Sequence, residues 1–138
     1  MSDVNIYVQT NIKGVGKKKG KYIYLIEKET SKGPATLHKV EEIEATKDVA
    51  ELTALVAAVS HLKQMPLQVD VYVTSEQLKL NIMHYLRIWA SHNFCKSDGK
   101  RLSCWELWKD LWEKSRIFDM RVHNKTHSYT NWLLKECQ

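Results

Sequence analysis

A chain of 138 residues with a formal charge of +5 is long enough for one domain with a core of its own, and its basic balance is compatible with a polyanionic partner without requiring one. It contains no run of eighteen apolar residues and no charged-then-apolar leader after Met1, so the expectation is a soluble, unexported protein. Cys95, Cys104 and Cys137 form an odd set whose spacings suit no disulfide framework, which points to a reducing, cytoplasmic setting.

Val4 to Gln9 alternates well enough for a first strand, and Lys21 to Glu27 is richer still in strand formers. Between them, Gly14-Val15-Gly16-Lys17-Lys18-Lys19-Gly20 predicts a hairpin with a lysine-rich tip. Its glycine spacing and its ending differ from a nucleotide-binding P-loop. Such lysines either protect a sheet edge or meet phosphates. Ser31 to Pro34 is a second turn, and Ala35 to Ile43 a weaker strand. Asp48 then reads as the cap of a helix whose Leu52, Leu55, Val56, Val59 and Leu62 make one apolar stripe, ending at Gln64-Met65-Pro66. Glu51 lies in its first turn.

Val69 to Thr74 alternates as a strand with one face in the core. Leu78, Ile82, Tyr85, Leu86 and Trp89 mark a helix over Glu76 to Ser91, and His92 to Arg101 is a polar loop. Ser103 and Glu106 suggest a capping box for a helix over Cys104 to Ser115. Ile117 to Val122 is a last strand, followed by a loop and a short helix over Thr130 to Glu136. Three strands, then alternating helix and strand, imply an α/β fold with a five-stranded mixed sheet, three antiparallel strands followed by parallel ones, and helices on both faces.

That order, together with local motifs, resembles ribonuclease H and the wider RNase H-like fold across nearly the whole chain. The stretch from Trp89 to Trp108 looks like the basic handle of cellular ribonuclease H: a tryptophan, an aromatic after a short turn, a lysine-rich loop and a Leu-Trp pair opening the next helix. Thr46-Lys47-Asp48-Val49-Ala50-Glu51-Leu52 is similar to the family's Thr-Asn-Asn-x-Ala-Glu-Leu helix start. The resemblance implies four carboxylates that hold two divalent metals, Mg or Mn, about 4 Å apart. Only Glu51 falls on such a position. Gln9 (or Thr10, one residue on) stands for the first-strand aspartate, Ser75 for the one after the central strand, and Leu134 or Lys135 for the one on the closing helix. His127 or His123 would match the family's mobile loop histidine. Hard cations want charged or strongly polar oxygens, so this set implies no resident metal and no metal-dependent cleavage.

Lys96, Lys100 and Arg101 of the handle, with Lys17 to Lys19 and Lys125, are candidates for tracking a phosphate backbone, with Trp89, Asn11 and His127 as further contacts. RNA, DNA or an RNA/DNA hybrid would then be recognised by shape. Trp105, Trp108 and Trp112 share one side of their helix with Leu111, where core packing is the ordinary role; three tryptophans on one small helix, with Trp132 beyond, also suggest a face for another protein. His92, Cys95 and Cys104, with Cys137 or His84, match no structural zinc module, and neither Ser60-His61 nor His127-Ser128 makes a catalytic pair. Three functional classes follow: a nucleic-acid-binding domain without catalysis, a scaffold module of the same fold, or a divergent hybrid ribonuclease using Glu51, Glu76 and Asp70 or Glu136.

Overall fold

The computed structural model describes residues 3–138. In chain order the elements are β1 (Val4–Thr10), β2 (Lys18–Thr30), β3 (Gly33–Ala45), α1 (Lys47–Val59), β4 (Gln68–Tyr72), α2 (Glu76–Leu80), a π-helical segment (Asn81–Tyr85), α3 (Leu86–Ser91), α4 (Trp105–Ser115), β5 (Asp119–His123) and α5 (Thr130–Glu136). The strands form one sheet in the order β3-β2-β1-β4-β5. β1 pairs antiparallel with β2, and β2 with β3, whereas β1 with β4 and β4 with β5 are parallel. This is the mixed sheet expected from the element order.

Alternation along the strands decides which face each helix covers. Val4, Ile6 and Val8 of β1, Val69 and Val71 of β4 and Val122 of β5 meet Leu52, Leu55 and Val59 of α1 and Trp108 and Leu111 of α4 in the main core. On the opposite face, Tyr7 of β1 and Ile23 and Leu25 of β2 pack under Leu133 of α5 and Cys137 just beyond it. Helices therefore lie on both faces, thickly on one and thinly on the other.

Several boundaries differ from the sequence reading, each for a local reason. Thr46, not Asp48, caps α1: its backbone is extended and its hydroxyl accepts from the Val49 amide, while Asp48 sits inside the first turn. At α4 the capping position belongs to Cys104, held at φ 59° with no side-chain cap bond, so the Ser103 capping box does not form. β2 and β3 run longer than predicted, pairing from Lys18↔Ala45 to Thr30↔Gly33. The predicted Glu76–Ser91 helix carries the π segment at its middle, which no periodicity signals.

Candidate nucleic-acid interface

Because β1 and β4 are parallel, their C-terminal ends lie at one end of the sheet, beside the start of α1. Glu51 from the second turn of α1 points into this junction and is completely buried. Its Oε1 accepts from the Thr74 amide at 2.7 Å and its Oε2 from the Thr74 hydroxyl at 2.6 Å. Burial pushes the Glu51 carboxyl above the ordinary carboxylate range, with the two Thr74 bonds offsetting part of the rise. The residue after β4 that meets Glu51 is thus Thr74, one place before the Ser75 chosen from sequence. Ser75 instead caps α2, its hydroxyl accepting from the Leu78 amide at 3.1 Å.

Gln9 is buried at the end of β1, and its side-chain amide donates to the Thr10 carbonyl at 3.3 Å. Thr10 is buried too, its hydroxyl donating to the Lys21 carbonyl at 2.7 Å. Leu134 and Lys135 are exposed on α5. The other acids weighed for a divergent nuclease do not gather here: Asp70 pairs with His123 across β4 and β5 at 2.8 Å, and Glu76 and Glu136 are exposed. Among the described residues, no three His, Cys, Asp or Glu side chains stand close enough to hold a metal together. An amide, two hydroxyls and one carboxylate with both oxygens engaged do not fit a pair of divalent cations. Cys137 lies on the far sheet face under α5, and among the described residues no three of His84, His92, Cys95, Cys104 and Cys137 gather, so the zinc set does not assemble.

The handle is built as a small hairpin. Cys95 bridges to Arg101, the Lys96 amide donates to the Lys100 carbonyl at 2.7 Å, and Asp98 accepts from the Lys100 amide at 2.9 Å. This leaves the side chains of Lys96, Lys100 and Arg101 exposed. Arg101 lies over the Trp105 ring at 4.1 Å, a cation–π contact that anchors the loop to α4. Beneath it, Trp89 stacks on Tyr85 at 5.8 Å and meets Trp108 edge-on at 5.1 Å. Trp89 is therefore half-buried support, with Tyr85 the more exposed ring. A cavity of about 180 Å³ brings Asp48 and Val49 of α1 together with Ser103 and Cys104 at the handle's end.

The side-chain oxygen of Asn11 accepts from the Lys21 amide at 2.8 Å, locking the base of the β1–β2 hairpin. Lys125 is exposed in the loop after β5. His127 packs on the Tyr7 ring at 4.4 Å and the Tyr72 ring at 5.4 Å, its Nδ1 accepts from the Tyr129 amide, and burial holds its imidazole below the ordinary value. Glu27 completes this aromatic cluster, accepting from Tyr129 at 2.6 Å, Asn5 at 3.0 Å and Tyr7 at 3.3 Å. The α4 tryptophans do not make an open face: Trp108 is core, and Trp105 and Trp112 pack half-buried against it. Trp132 is the more exposed one, resting edge-on against His38.

No family model matches the chain. In sequence it is similar to the ribonuclease H of Rickettsia bellii, 33% identical over 73 residues, which are 53% of this chain and 46% of that protein. The ribonuclease H of Rickettsia canadensis matches at 30% over 71 residues, 51% of this chain and 45% of that one. The chain spans about half the length of the curated relatives it matches. In structure it is similar to a foamy viral protease-reverse transcriptase in complex with dsDNA, with TM-score 0.75, 15% identity, and 99% of this chain and 92% of that one covered. LC9-RNase H1 aligns with TM-score 0.74 and 15% identity over 96% of this chain and 69% of that one. The chain has the ribonuclease H fold.

Proposed function

We propose that the chain is an RNase H-like domain that binds an RNA/DNA hybrid or another nucleic-acid duplex and does not cleave it by metal-dependent hydrolysis. The observation that carries this reading is the bond pair between Glu51 and Thr74: the one carboxylate at the expected place spends both oxygens on the turn after β4. Gln9 at the end of β1 and Thr74 after β4 bring no charge to draw cations in. The handle, meanwhile, keeps three cationic side chains in solvent on an anchored hairpin, the arrangement that phosphate tracking requires. Foamy viral protease-reverse transcriptase structures that align with the chain hold dsDNA in one case and an RNA/DNA hybrid in another, which supports a duplex partner. Three free thiols fit a reducing, cytoplasmic setting.

The test is one titration and one assay. Fluorescent hybrid, duplex DNA and single strands are titrated at several salt concentrations, and the hybrid is incubated with magnesium or manganese. The expected result is duplex binding that weakens steeply with salt and no cleavage. Absence of affinity for every nucleic acid at low salt removes the reading, and metal-dependent cleavage abolished by Glu51→Ala replaces it with a ribonuclease.

The scaffold alternative has less support, since the tryptophans meant to serve it are packed inward on α4.

A further inference from the structure

We infer that the free edge of β3 is a self-association surface, on which a second copy of this chain pairs antiparallel about a twofold axis at Val40. The inference stands apart from nucleic-acid binding and needs no nucleic acid to act.

β3 is the outermost strand of the sheet, and among the described residues no strand pairs with its other side. The backbone groups left open there can be assigned through β2. Both the amide and the carbonyl of Lys21 turn toward the end of β1: the amide donates to the Asn11 side chain at 2.8 Å, and the carbonyl accepts from the Asn11 amide at 3.3 Å. Alternation along an antiparallel ladder then sends the odd-numbered residues of β2 to β1 and the even-numbered ones to β3. Tyr22, Tyr24 and Ile26 accordingly meet Glu41, Lys39 and Leu37. The odd-numbered residues of β3 are spent inside the sheet, while Thr36, His38, Val40, Glu42 and Glu44 hold their amides and carbonyls outward. Pro34 belongs to the same outward set, the side where a missing amide disturbs no ladder bond.

An open edge of this length is a template for another strand. The side chains decide which. With Val40 opposite Val40 of a second copy, Lys39 faces Glu41 of that copy, His38 faces Glu42, and Leu37, 50% exposed, faces Ile43. The twofold makes each of these contacts twice. Faces are respected as well. Leu37 and Lys39 lie beside Ile26 and Tyr24 on the α1 face of the sheet, whereas His38 lies under Trp132, and Val40 packs on the α5 face. Lys39 and Glu41 already meet within one strand at 2.9 Å, so a second copy would close them into a ring of alternating charge.

The match is confined to one register. Moving the axis to Lys39, to Glu41 or to Glu42 sets that charge against its own copy, and moving it to His38 sets Leu37 against Lys39. Charges placed only to keep other strands away would clash in every register. Here they clash in the neighbouring registers and agree in the one that also pairs the outward amides and carbonyls.

The test is sedimentation equilibrium of the unaltered chain, of Lys39→Glu, of Glu41→Lys and of an equimolar mixture of the two variants. Concentrations run up to about 1 mM, which captures weak association. The expected result is a monomer–dimer equilibrium for the unaltered chain and association at least about tenfold weaker for each variant alone, because like charges then face each other twice. In the mixture opposite charges face each other again, so association should recover, and that recovery also shows that both variants fold. A chain that stays monomeric throughout, a dimer that either variant leaves intact, or a mixture that does not recover overturns the proposal.

Discussion

Glu51 and Thr74 are joined twice, through the backbone amide and through the hydroxyl of the same threonine, so one side chain of α1 fixes the turn after β4. A carboxylate used this way is a structural clasp. Removing the threonine hydroxyl leaves the buried Glu51 carboxyl short of a donor, which costs far more than losing an exposed bond would. Thr74→Val should destabilise the chain by about 1–3 kcal/mol, because Oε2 of Glu51 loses its donor. Glu51→Ala should cost about 2–4 kcal/mol by adding a cavity. Glu51→Gln keeps the shape and an acceptor and removes a buried charge, so its cost should stay under about 1 kcal/mol. Urea denaturation of the three variants ranks them; a Gln variant as damaged as the Ala variant contradicts the clasp.

The same junction predicts the response to metal. The melting temperature of the unaltered chain should be the same in EDTA and in manganese, since linkage stabilises only what binds. Thr74→Asp would set a second carboxylate against Glu51, destabilising the chain in EDTA through like-charge repulsion. Manganese should then return part of the loss. Thermal melts of both proteins in both buffers decide the matter.

Acid should loosen the loop after β5. Burial keeps the folded His127 imidazole below its ordinary value, so as pH falls through that value the unfolded chain takes up a proton that the folded chain refuses, and stability drops. Glu27 adds to the loss further down. Burial alone would raise it, but bonds from Tyr129, Asn5 and Tyr7 outweigh burial and hold it below the ordinary carboxylate value, so its contribution disappears as pH falls through the lowered value. Glu51, shifted upward, works in the opposite sense, gaining rather than losing as it protonates. In melts between about pH 7.5 and 5.5, His127→Phe should lose less stability than the unaltered chain. An identical loss would mean that some other group carries the acid sensitivity.

In the handle, Lys96→Gln/Lys100→Gln should lower the salt slope of duplex binding by about 0.9 per lysine and leave the melting temperature alone. Arg101→Gln should also lower the melting temperature slightly, because the guanidinium leaves the Trp105 ring as well as the phosphate, a contact of about 0.5–1 kcal/mol at an exposed site. Parallel melts and titrations separate the two effects.

The sheet and its helices were legible because periodicity carries them: the stripe of Leu52, Leu55 and Val59 and the alternation of Val69 and Val71 each have one place to go. The handle was legible from its lysines and flanking tryptophans. The site's details were not, because they are tertiary. Whether Thr74 or Ser75 faces Glu51 depends on where β4 stops and which hydroxyl the α2 amides claim. Thr46 and Asp48 are both good caps by residue type, and only backbone geometry separates them. Nothing local reveals that the Lys21 amide, ten residues on, engages the Asn11 side-chain oxygen.

The π-helical segment Asn81–Tyr85 places an extra residue in the coil between α2 and α3. Every side chain downstream is therefore turned by about 100° relative to an uninterrupted α-helix. With that offset, Trp89 lands on Trp108 and Leu86 in the core. Losing a single residue from this coil would point Trp89 elsewhere and swing the basic loop with it, so the aim of the loop is governed from a full turn or more upstream, by a segment that carries none of its charge.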